Sequence, residues 1–306
     1  DKCIMCNMCS LVCPHAVVRP YLLDKEEIEK SPLSVKEHLK DAKIKDNDLS
    51  FTIGISVPDC TGCSLCSMVC PTKAITLKKQ NLEARQKEME RYNYLQTVSE
   101  KHVLPKTTIK GSQFVKPKFE FSGACAGCGE TPYLKLLSQL FGDDLMIANA
   151  TGCSSIYGAS IPSMPYTVPW VNSLFEDNAE IGKLKEYLIK RNFWIVGGDG
   201  WAYDIGFGGI DHVLASNSKV KILVLDTEVY SNTGGQSSKS TPLGSIASFS
   251  YDGKKTSKKS LVKYALTLPN VYVGTININS NPTLAIKVLL EANEHDGPAI
   301  IIAYSS

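Results

Sequence analysis

The chain has 306 residues, 43% of them hydrophobic and 21% charged, with a formal net charge of +2. This is enough apolar material to bury a core in one domain plus an appendage or in two domains, and the near-neutral balance implies no polyanionic partner such as nucleic acid. No apolar run approaches the length needed to cross a bilayer and the start has no signal-peptide pattern, so the sequence reads as a cytoplasmic protein with no membrane association.

Eleven cysteines stand at 3, 6, 9, 13, 60, 63, 66, 70, 125, 128 and 153. An odd number crowded at i+3 spacing argues against a disulfide framework and for thiolate ligands in a reducing compartment. Cys3, Cys6, Cys9 and Cys13 followed by Pro14 form C-x2-C-x2-C-x3-C-P, and Cys60, Cys63, Cys66 and Cys70 followed by Pro71 repeat it. Each is the bacterial run for a [4Fe–4S] cluster, in which the fourth cysteine serves the other cluster of the pair. The spacing therefore assigns Cys3, Cys6, Cys9 and Cys70 to one cluster and Cys13, Cys60, Cys63 and Cys66 to the other. Zinc is the alternative, but four cysteines so close together do not suit two separate tetrahedral C-x2-C pairs.

Between the runs, residues 24–50 are dense in Asp, Glu and Lys and interrupted by Pro32, which reads as a solvated helical insertion, with partner docking as the lesser reading. Strands are expected at 51–55 and 74–77. Residues 80–118 are polar and basic, contain Pro105 and Pro117, and lose periodicity after Tyr94, as a surface linker does. From Phe119 the pattern turns to α/β. Helices are expected at 131–141, 203–216, 260–268 and 282–294, the last with Asn281 as cap and Pro282 at its first position. Strands are expected at 145–149, 193–197, 220–226, 271–276 and 299–304. Such alternation means a parallel sheet covered on both faces. The predicted organisation is a ferredoxin-like α+β domain over 1–85 with a charged insertion at 21–50, a linker over 86–118, and an α/β domain over 119–306. Lys254, Lys255, Lys258 and Lys259 read as a solvated loop, or as a docking patch for an acidic protein.

Ile195-Val196-Gly197-Gly198-Asp199-Gly200 and the stretch from Val224 through Asp226-Thr227-Glu228-Val229-Tyr230-Ser231-Asn232 to Gly235 each end an apolar run in a carboxylate and glycines. They read as the carboxyl ends of two parallel strands, where α/β sheets hold their ligands. Asp199 and Thr227 suit a hard cation that keeps a position for phosphate oxygens. The glycines let backbone N–H groups approach a diphosphate, and a helix after Gly200 adds its positive end. Two ordinary strand-to-helix turns are the plainer alternative. A dinucleotide loop fails because Asp211 stands where G-x-G-x-x-G, begun by Gly206 and Gly208, needs its last glycine, and no Gly-Lys-Ser/Thr completes a Walker loop. A third cysteine group, Cys125 and Cys128 before a helix and Cys153 after a strand, sits among glycines and small polar residues and suggests a third cluster, with zinc or buried structural cysteine as alternatives.

Gly198-Asp199-Gly200 with the later Asn232 resembles the thiamine diphosphate signature. Together with both cysteine runs and the segments 122–132, 149–155, 197–209 and 226–236, it makes nearly the whole chain similar to the pyruvate:ferredoxin (flavodoxin) oxidoreductases, the single-chain type of 2-oxoacid:ferredoxin oxidoreductase. The resemblance is to their C-terminal part, a ferredoxin-like domain followed by a thiamine diphosphate-binding domain. It implies an oxidoreductase of anaerobic metabolism that converts pyruvate and coenzyme A to acetyl-CoA and CO2. Electrons would leave through three [4Fe–4S] clusters to ferredoxin or flavodoxin. Another 2-oxoacid substrate (oxalate, indolepyruvate) and a non-catalytic electron-transfer module are the alternatives. Carried over by position, Asp199, Thr227 and the carbonyl of Val229 hold Mg2+. Gly198, Gly200, Trp201 and Glu130 line the cofactor, Cys153 is both cluster ligand and cofactor neighbour, and Asn232 faces the reacting carbon.

The resemblance further implies a homodimer and a pyrimidine-side thiamine domain elsewhere in the enzyme, so residues 1–306 alone are expected to be inactive. The family has a cysteine just after the strand at 299–304, so the polypeptide is expected to continue past Ser306 and supply the fourth thiolate beside Cys125, Cys128 and Cys153. The passages from Tyr166 to Trp170 and from Glu180 to the strand before Gly197 are shorter than in the family. Either this member is pruned or residues are missing near 167 and 182.

Overall fold

The computed structural model describes residues 2–45, 47–159, 164–172 and 192–305. The chain forms two compact units, Asp1–Leu140 and Phe141–Ser306.

In the first unit, strands β1 (Val18–Leu23), β2 (Lys40–Asp41) and β3 (Ser50–Ile55) make an antiparallel sheet in the order β1-β3-β2, with Val18 opposite Ile55 and Leu23 opposite Ser50. β1 contains Pro20, tolerated because the strand lies at the sheet edge. The strand expected at 74–77 does not form. The Ala74 N–H is turned to the sulfur of Cys70 at 3.2 Å and the Ile75 carbonyl accepts the Ser67 hydroxyl at 3.0 Å, so the backbone there is spent on the cysteine turn.

The charged insertion is helical at Lys25–Lys30 and Leu33–Lys36, the first helix opened by an Asp24/Glu27 capping box. It is not solvated throughout. Leu23, Val35 and Leu95 form a small core with Tyr21, Ile28, Leu39, Tyr94 and Val98 against them. The partner surface is a helix, Leu82–Leu95, in a stretch that the sequence marks only as polar. Asn81 caps it, and its buried Arg91 donates to Thr52 Oγ1 at 2.7 Å and to the Ile53 carbonyl at 2.5 Å. Beyond it, Lys101 holds the insertion through Glu27 at 2.9 Å and Asp24 at 3.2 Å.

The helix expected at 131–141 forms as Thr131–Phe141 and is buried on every side, Lys135, Ser138 and Gln139 along with Tyr133, Leu136 and Leu140. The side chains of Lys135, Ser138 and Gln139 are satisfied internally, as burial requires. Gln139 donates to the Val115 carbonyl and accepts from Gln113, and Lys135 donates to backbone carbonyls around Ser10. This helix therefore completes the first compact unit, which extends to Leu140.

The second unit is built on a six-stranded parallel sheet. Its strands are β4 (Leu145–Asn149), β5 (Trp170–Asn172), β6 (Asn192–Gly198), β7 (Lys221–Asp226), β10 (Tyr272–Ile276) and β11 (Ala299–Tyr304), in the order β10-β11-β7-β6-β4-β5. Two-residue strands β8 (Val229–Tyr230) and β9 (Gln236–Ser237) pair outside it. All six residues of β7 are buried, as a central parallel strand covered on both faces must be. Ile222, Val224, Ile300 and Ile302 pack on one face with Ile210, Leu214, Leu261 and Ala265. The helix expected at 282–294 is present as Pro282–Glu294, with Asn281 accepting from the Leu284 N–H at 3.0 Å. The helix expected at 260–268 is shorter, Leu261–Ala265, and that at 203–216 is a π-helical turn, Gly200–Ile205, followed by an α-helix, Phe207–Ala215. From β4 the chain goes outward to β5, and from β6 it goes the other way to β7, so the strand order reverses between β4 and β6. The carboxyl edge there is where an open parallel sheet places its ligand crevice.

Candidate cofactor sites

The two cysteine runs share one backbone. Met5 and Gly62, at corresponding positions of the first C-x2-C turn, have φ of 57° and 69°; Asn7 and Ser64, in the second turn, have 60° and 69°; Ala16 and Lys73, after the prolines, have 55° and 50°. Short helices Met8–Leu11 and Leu65–Met68 correspond in the same way. Left-handed residues inside each turn bend the chain sharply in the same way in both runs, and non-glycine residues accept that conformation at a cost of order 1–3 kcal/mol each.

A small open cavity is lined by Cys13, Cys60, Cys63 and Cys66, with Pro14, His15 and Val17. This is the crossed ligand set that the spacing assigns to one cluster. Burial raises the Cys66 thiol, and Cys13 adds to it ahead of Cys60 and Cys63. Burial likewise pushes the Cys9 thiol up to about 12, with Cys6 and Cys3 contributing repulsion. Thiols crowded this way become thiolates only against compensating positive charge, which iron supplies. Cys70 differs: amide and hydroxyl donors from Ala74 and Thr72 outweigh burial and lower its thiol.

In the third cysteine group Gly127 has φ of 77° and stands second after Cys125, as Gly62 stands after Cys60. The Cys125–Cys128 turn therefore places a left-handed glycine where the Cys60–Cys63 turn does. A Cβ placed on Gly127 would lie 3.8 Å from Cys63 Cβ, so this turn adjoins the Cys13/Cys60/Cys63/Cys66 cavity. Glu130, beside it, is 4% exposed and adds to the burial that raises Cys128. Cys125, Cys128 and Glu130 lie in the first unit and Cys153 in the second.

In the second unit, Asp199 follows β6 and Thr227 follows β7. Thr227 Oγ1 is 3.1 Å from Asp199 Oδ1, donates to the Val229 carbonyl at 3.0 Å and lies 2.6 Å from Ser231 Oγ. A carboxylate, a hydroxyl and a carbonyl oxygen thus converge, the donor set that Mg2+ takes together with phosphate oxygens. Asp199 is 1% exposed, and its other oxygen accepts from Ser238 at 2.6 Å. Burial pushes its carboxyl up to about 6; Ser238 pulls it down, nearby Asp226 raises it further, and Thr227 lowers it. A buried carboxylate repelled by a second one is a site for a cation. Asp226 is held outside the donor set by Ser240 at 2.6 Å and by Tyr203 and Lys258, both at 3.0 Å.

Gly200 opens the π-helical turn, and a Cβ there would stand 2.2 Å from the Tyr230 ring. Tyr230 in turn donates to the Gly200 carbonyl at 3.3 Å and to Asp204 at 3.1 Å. Gly200→Ala is therefore expected to cost about 1–3 kcal/mol by overpacking, seen as a lower unfolding midpoint, and to displace Tyr230 and with it the Val229 carbonyl. Cys153 opens the helix Cys153–Tyr157 beside the Gly198 backbone, whose N–H reaches the Thr151 carbonyl at 3.4 Å. Ser154 Oγ and Asn149 Oδ1, on the same edge, are buried with no partner among the described residues. Buried polar atoms left open beside a site are places a ligand can satisfy. Asn232, in the turn Ser231–Thr233, is exposed.

Lys255 is exposed, as a solvated loop implies, but Lys254, Lys258 and Lys259 are engaged by the protein. Lys258 bridges Asp226 at 3.0 Å and Glu228 at 2.9 Å, Lys259 lies 3.0 Å from the Phe207 ring centroid, and Lys254 donates to the Thr241 carbonyl at 2.6 Å. Sequence spacing gave no sign of these partners, nor of Ser238 and Ser240, which reach Asp199 and Asp226 from a loop with no periodicity. The chain end at Ser306 and the short passage near 182 lie outside the described residues. From 164 to 172 the chain is described, and Tyr166 stacks on Trp170 at 5.2 Å. Among the described residues no helix is long and apolar enough to cross a membrane.

Fold and site define an iron–sulfur dicluster unit joined to a thiamine diphosphate-binding unit: the family model for a 4Fe-4S dicluster domain matches residues 1–75, and that for the C-terminal TPP-binding domain of thiamine pyrophosphate enzymes matches residues 179–303. Over its whole length the chain is homologous to pyruvate oxidoreductases. It is 42% identical over 392 aligned positions to pyruvate:ferredoxin oxidoreductase of Moorella thermoacetica and 40% identical over 387 to pyruvate-flavodoxin oxidoreductase of Klebsiella pneumoniae, covering 100% of this chain and 33% of each relative. It is 38% identical over 424 positions to pyruvate dehydrogenase [NADP(+)] of Cryptosporidium parvum, covering 22% of that protein. The chain thus spans about a third or less of the length of these relatives. Alignments of 387 to 424 positions against 306 residues also mean that the relatives are longer inside the matched span. The fold is shared with 2-oxoglutarate:ferredoxin oxidoreductase from Magnetococcus marinus, solved with 2-oxoglutarate, coenzyme A and succinyl-CoA bound, at 21% identity and a TM-score of 0.50 over 60% of this chain and 64% of that one.

Proposed function

We propose that this chain is the electron-transfer and diphosphate-binding part of a cytoplasmic enzyme that oxidatively decarboxylates pyruvate with coenzyme A to acetyl-CoA and CO2. The observation that carries the reading is the convergence of Asp199, Thr227 and the Val229 carbonyl on the crevice edge of a sheet in a chain that also holds a cysteine-lined cluster cavity. Bound thiamine diphosphate supplies the carbanion and the electron sink. The chain's own residues bind and orient it. Asp199, Thr227 and the Val229 carbonyl hold Mg2+ against the diphosphate, Gly198, Gly200, Trp201 and Glu130 line the cofactor, and Asn232 faces the substrate. Cys125, Cys128 and Cys153 hold a third cluster, and the pair in the first unit carries electrons on to ferredoxin or flavodoxin. Cys70 completes the cluster of Cys3, Cys6 and Cys9. The remaining domains, one of them carrying the carboxylate that activates the pyrimidine ring, and a second copy of the enzyme complete the site.

The test is turnover of the whole enzyme on pyruvate, oxalate and indolepyruvate, with thiamine and iron measured on the same preparation. Pyruvate is expected to be converted fastest, with acetyl-CoA formed, and residues 1–306 alone are expected to give no turnover. Active, intact enzyme that contains iron but no thiamine would instead favour an electron-transfer module.

A further inference from the structure

Lys135 is 2% exposed, in the middle of helix Thr131–Phe141. Its ammonium donates to the carbonyl of Ser10, to that of Leu11 at 3.0 Å and to that of Cys13 at 3.5 Å. Those carbonyls belong to the end of helix Met8–Leu11 and to the cysteine that follows it, so one cation caps the negative end of the helix between Cys9 and Cys13. Among the described residues no carboxylate pairs with it. Its neighbour Arg19, also buried, is by contrast matched by Glu120.

The second run repeats the backbone of the first but not this cation. The corresponding helix, Leu65–Met68, ends at a Met68 that is 76% exposed, and the Ser67 hydroxyl donates to the Ile75 carbonyl. The two halves of a symmetric frame thus differ by one buried positive charge, placed on the backbone of Cys13. An unpaired charge buried at this depth costs several kcal/mol unless something nearby repays it, and three carbonyl dipoles are a partial match. A cluster that becomes more negative on reduction completes it.

We propose that Lys135 sets the reduction potential of the cluster ligated by Cys13, Cys60, Cys63 and Cys66, holding it above the value its ligands alone would give. The inference rests on the crossed ligand assignment. Reduction adds one electron to the cluster, with no bond made or broken. The added negative charge is stabilised by the nearby ammonium in a low-dielectric surround, and the same charge makes re-oxidation less favourable. Because the Cys125–Cys128 turn adjoins this cavity, the effect would fall on the cluster that first receives electrons in the unit.

The experiment is a redox titration of the whole enzyme followed by electron paramagnetic resonance, with dithionite as reductant, on wild type, Lys135→Gln, Lys135→Arg and Gln139→Glu. Lys135→Gln keeps a donor and loses the charge. At a fixed applied potential its ratio of reduced to oxidised cluster is expected to fall about tenfold, a midpoint lower by about 59 mV for a one-electron couple. Lys135→Arg keeps the charge and should stay within about twofold of wild type. Gln139→Glu leaves Lys135 and its three carbonyls in place and sets a carboxylate one helical turn away; it should lower the ratio as well, and it serves if the glutamine variant does not assemble its clusters. A merely structural cap would leave the midpoint of any variant that assembles its clusters at the wild-type value, and that result overturns the inference. Wild-type enzyme without two clusters in this unit would instead overturn the ligand assignment.

Discussion

Asp199→Ala is expected to weaken Mg2+ and thiamine diphosphate binding together, by about 100-fold or more in the whole enzyme, roughly 2.8 kcal/mol. The reason is the composition of the site. Thr227 and the Val229 carbonyl are neutral, and Asp226 is already engaged by Ser240, Tyr203 and Lys258, so Asp199 is the one carboxylate in the convergent set. A hard cation bound by one or two carboxylates loses most of its protein-side charge when one goes, and the diphosphate then has no bridge to the sheet. Iron content should be unchanged, because both cysteine runs lie in the other compact unit. Equilibrium binding of Mg2+ and of the cofactor, measured separately and together, checks this; wild-type occupancy of either sinks the assignment. A pH effect follows in metal-free protein. Burial holds the Asp199 carboxyl near 6, above its ordinary 3.8, so the folded state takes up a proton that the unfolded state does not. This contribution to stability is fully present below about pH 4 and is lost as pH rises through 6. Asp199→Asn should abolish the dependence, and saturating Mg2+ should mask it.

How far the sequence disclosed this depended on the range of the interaction. The cysteine runs are local chemistry: four cysteines at fixed spacing before a proline leave few alternatives, and Cys13, Cys60, Cys63 and Cys66 line one cavity. Strands β4, β6, β7, β10 and β11 were legible because buried parallel strands are continuous apolar runs bounded by glycine and carboxylate. β5, three residues long at the edge, has too few positions to show a period. β1 was masked by Pro20, which only an edge position tolerates. Helix Leu82–Leu95 carries a charge on nearly every turn and buries only Arg91, Tyr92 and Leu95, so no apolar stripe marks it. The partners of Lys258, the hydroxyls of Ser238 and Ser240, and the burial of Lys135 are all tertiary. Each puts a polar residue of ordinary surface type against a group far away in the chain, and no local pattern encodes that.

Cys13→Ala is expected to destroy the cluster built on Cys60, Cys63 and Cys66 while sparing the one on Cys3, Cys6 and Cys9, although Cys13 lies in the first run. The physical basis is where its sulfur stands. Cys13 is buried, shares one cavity with the three cysteines of the second run, and contributes more repulsion to the Cys66 thiol than either Cys60 or Cys63 does. A run of three thiolates on a tight coil cannot close the fourth corner itself, because after Cys9 the helix Met8–Leu11 carries the chain away before Cys13 is reached. The fourth thiolate of each run is therefore expected to serve the other's cube. Loss of one of four thiolates leaves a three-iron centre or an empty cavity, so iron per enzyme should fall measurably. The paramagnetic signal arising from interaction between two reduced clusters should collapse to that of one. Electron delivery to ferredoxin or flavodoxin should fall by more than tenfold, because the lost cluster adjoins the Cys125–Cys128 turn, the proposed point of electron entry. Cys9→Ala should do the reverse, removing the cluster of Cys3 and Cys6 first. If the two variants instead lose the same cluster, each run binds its own iron and the crossed pairing is wrong.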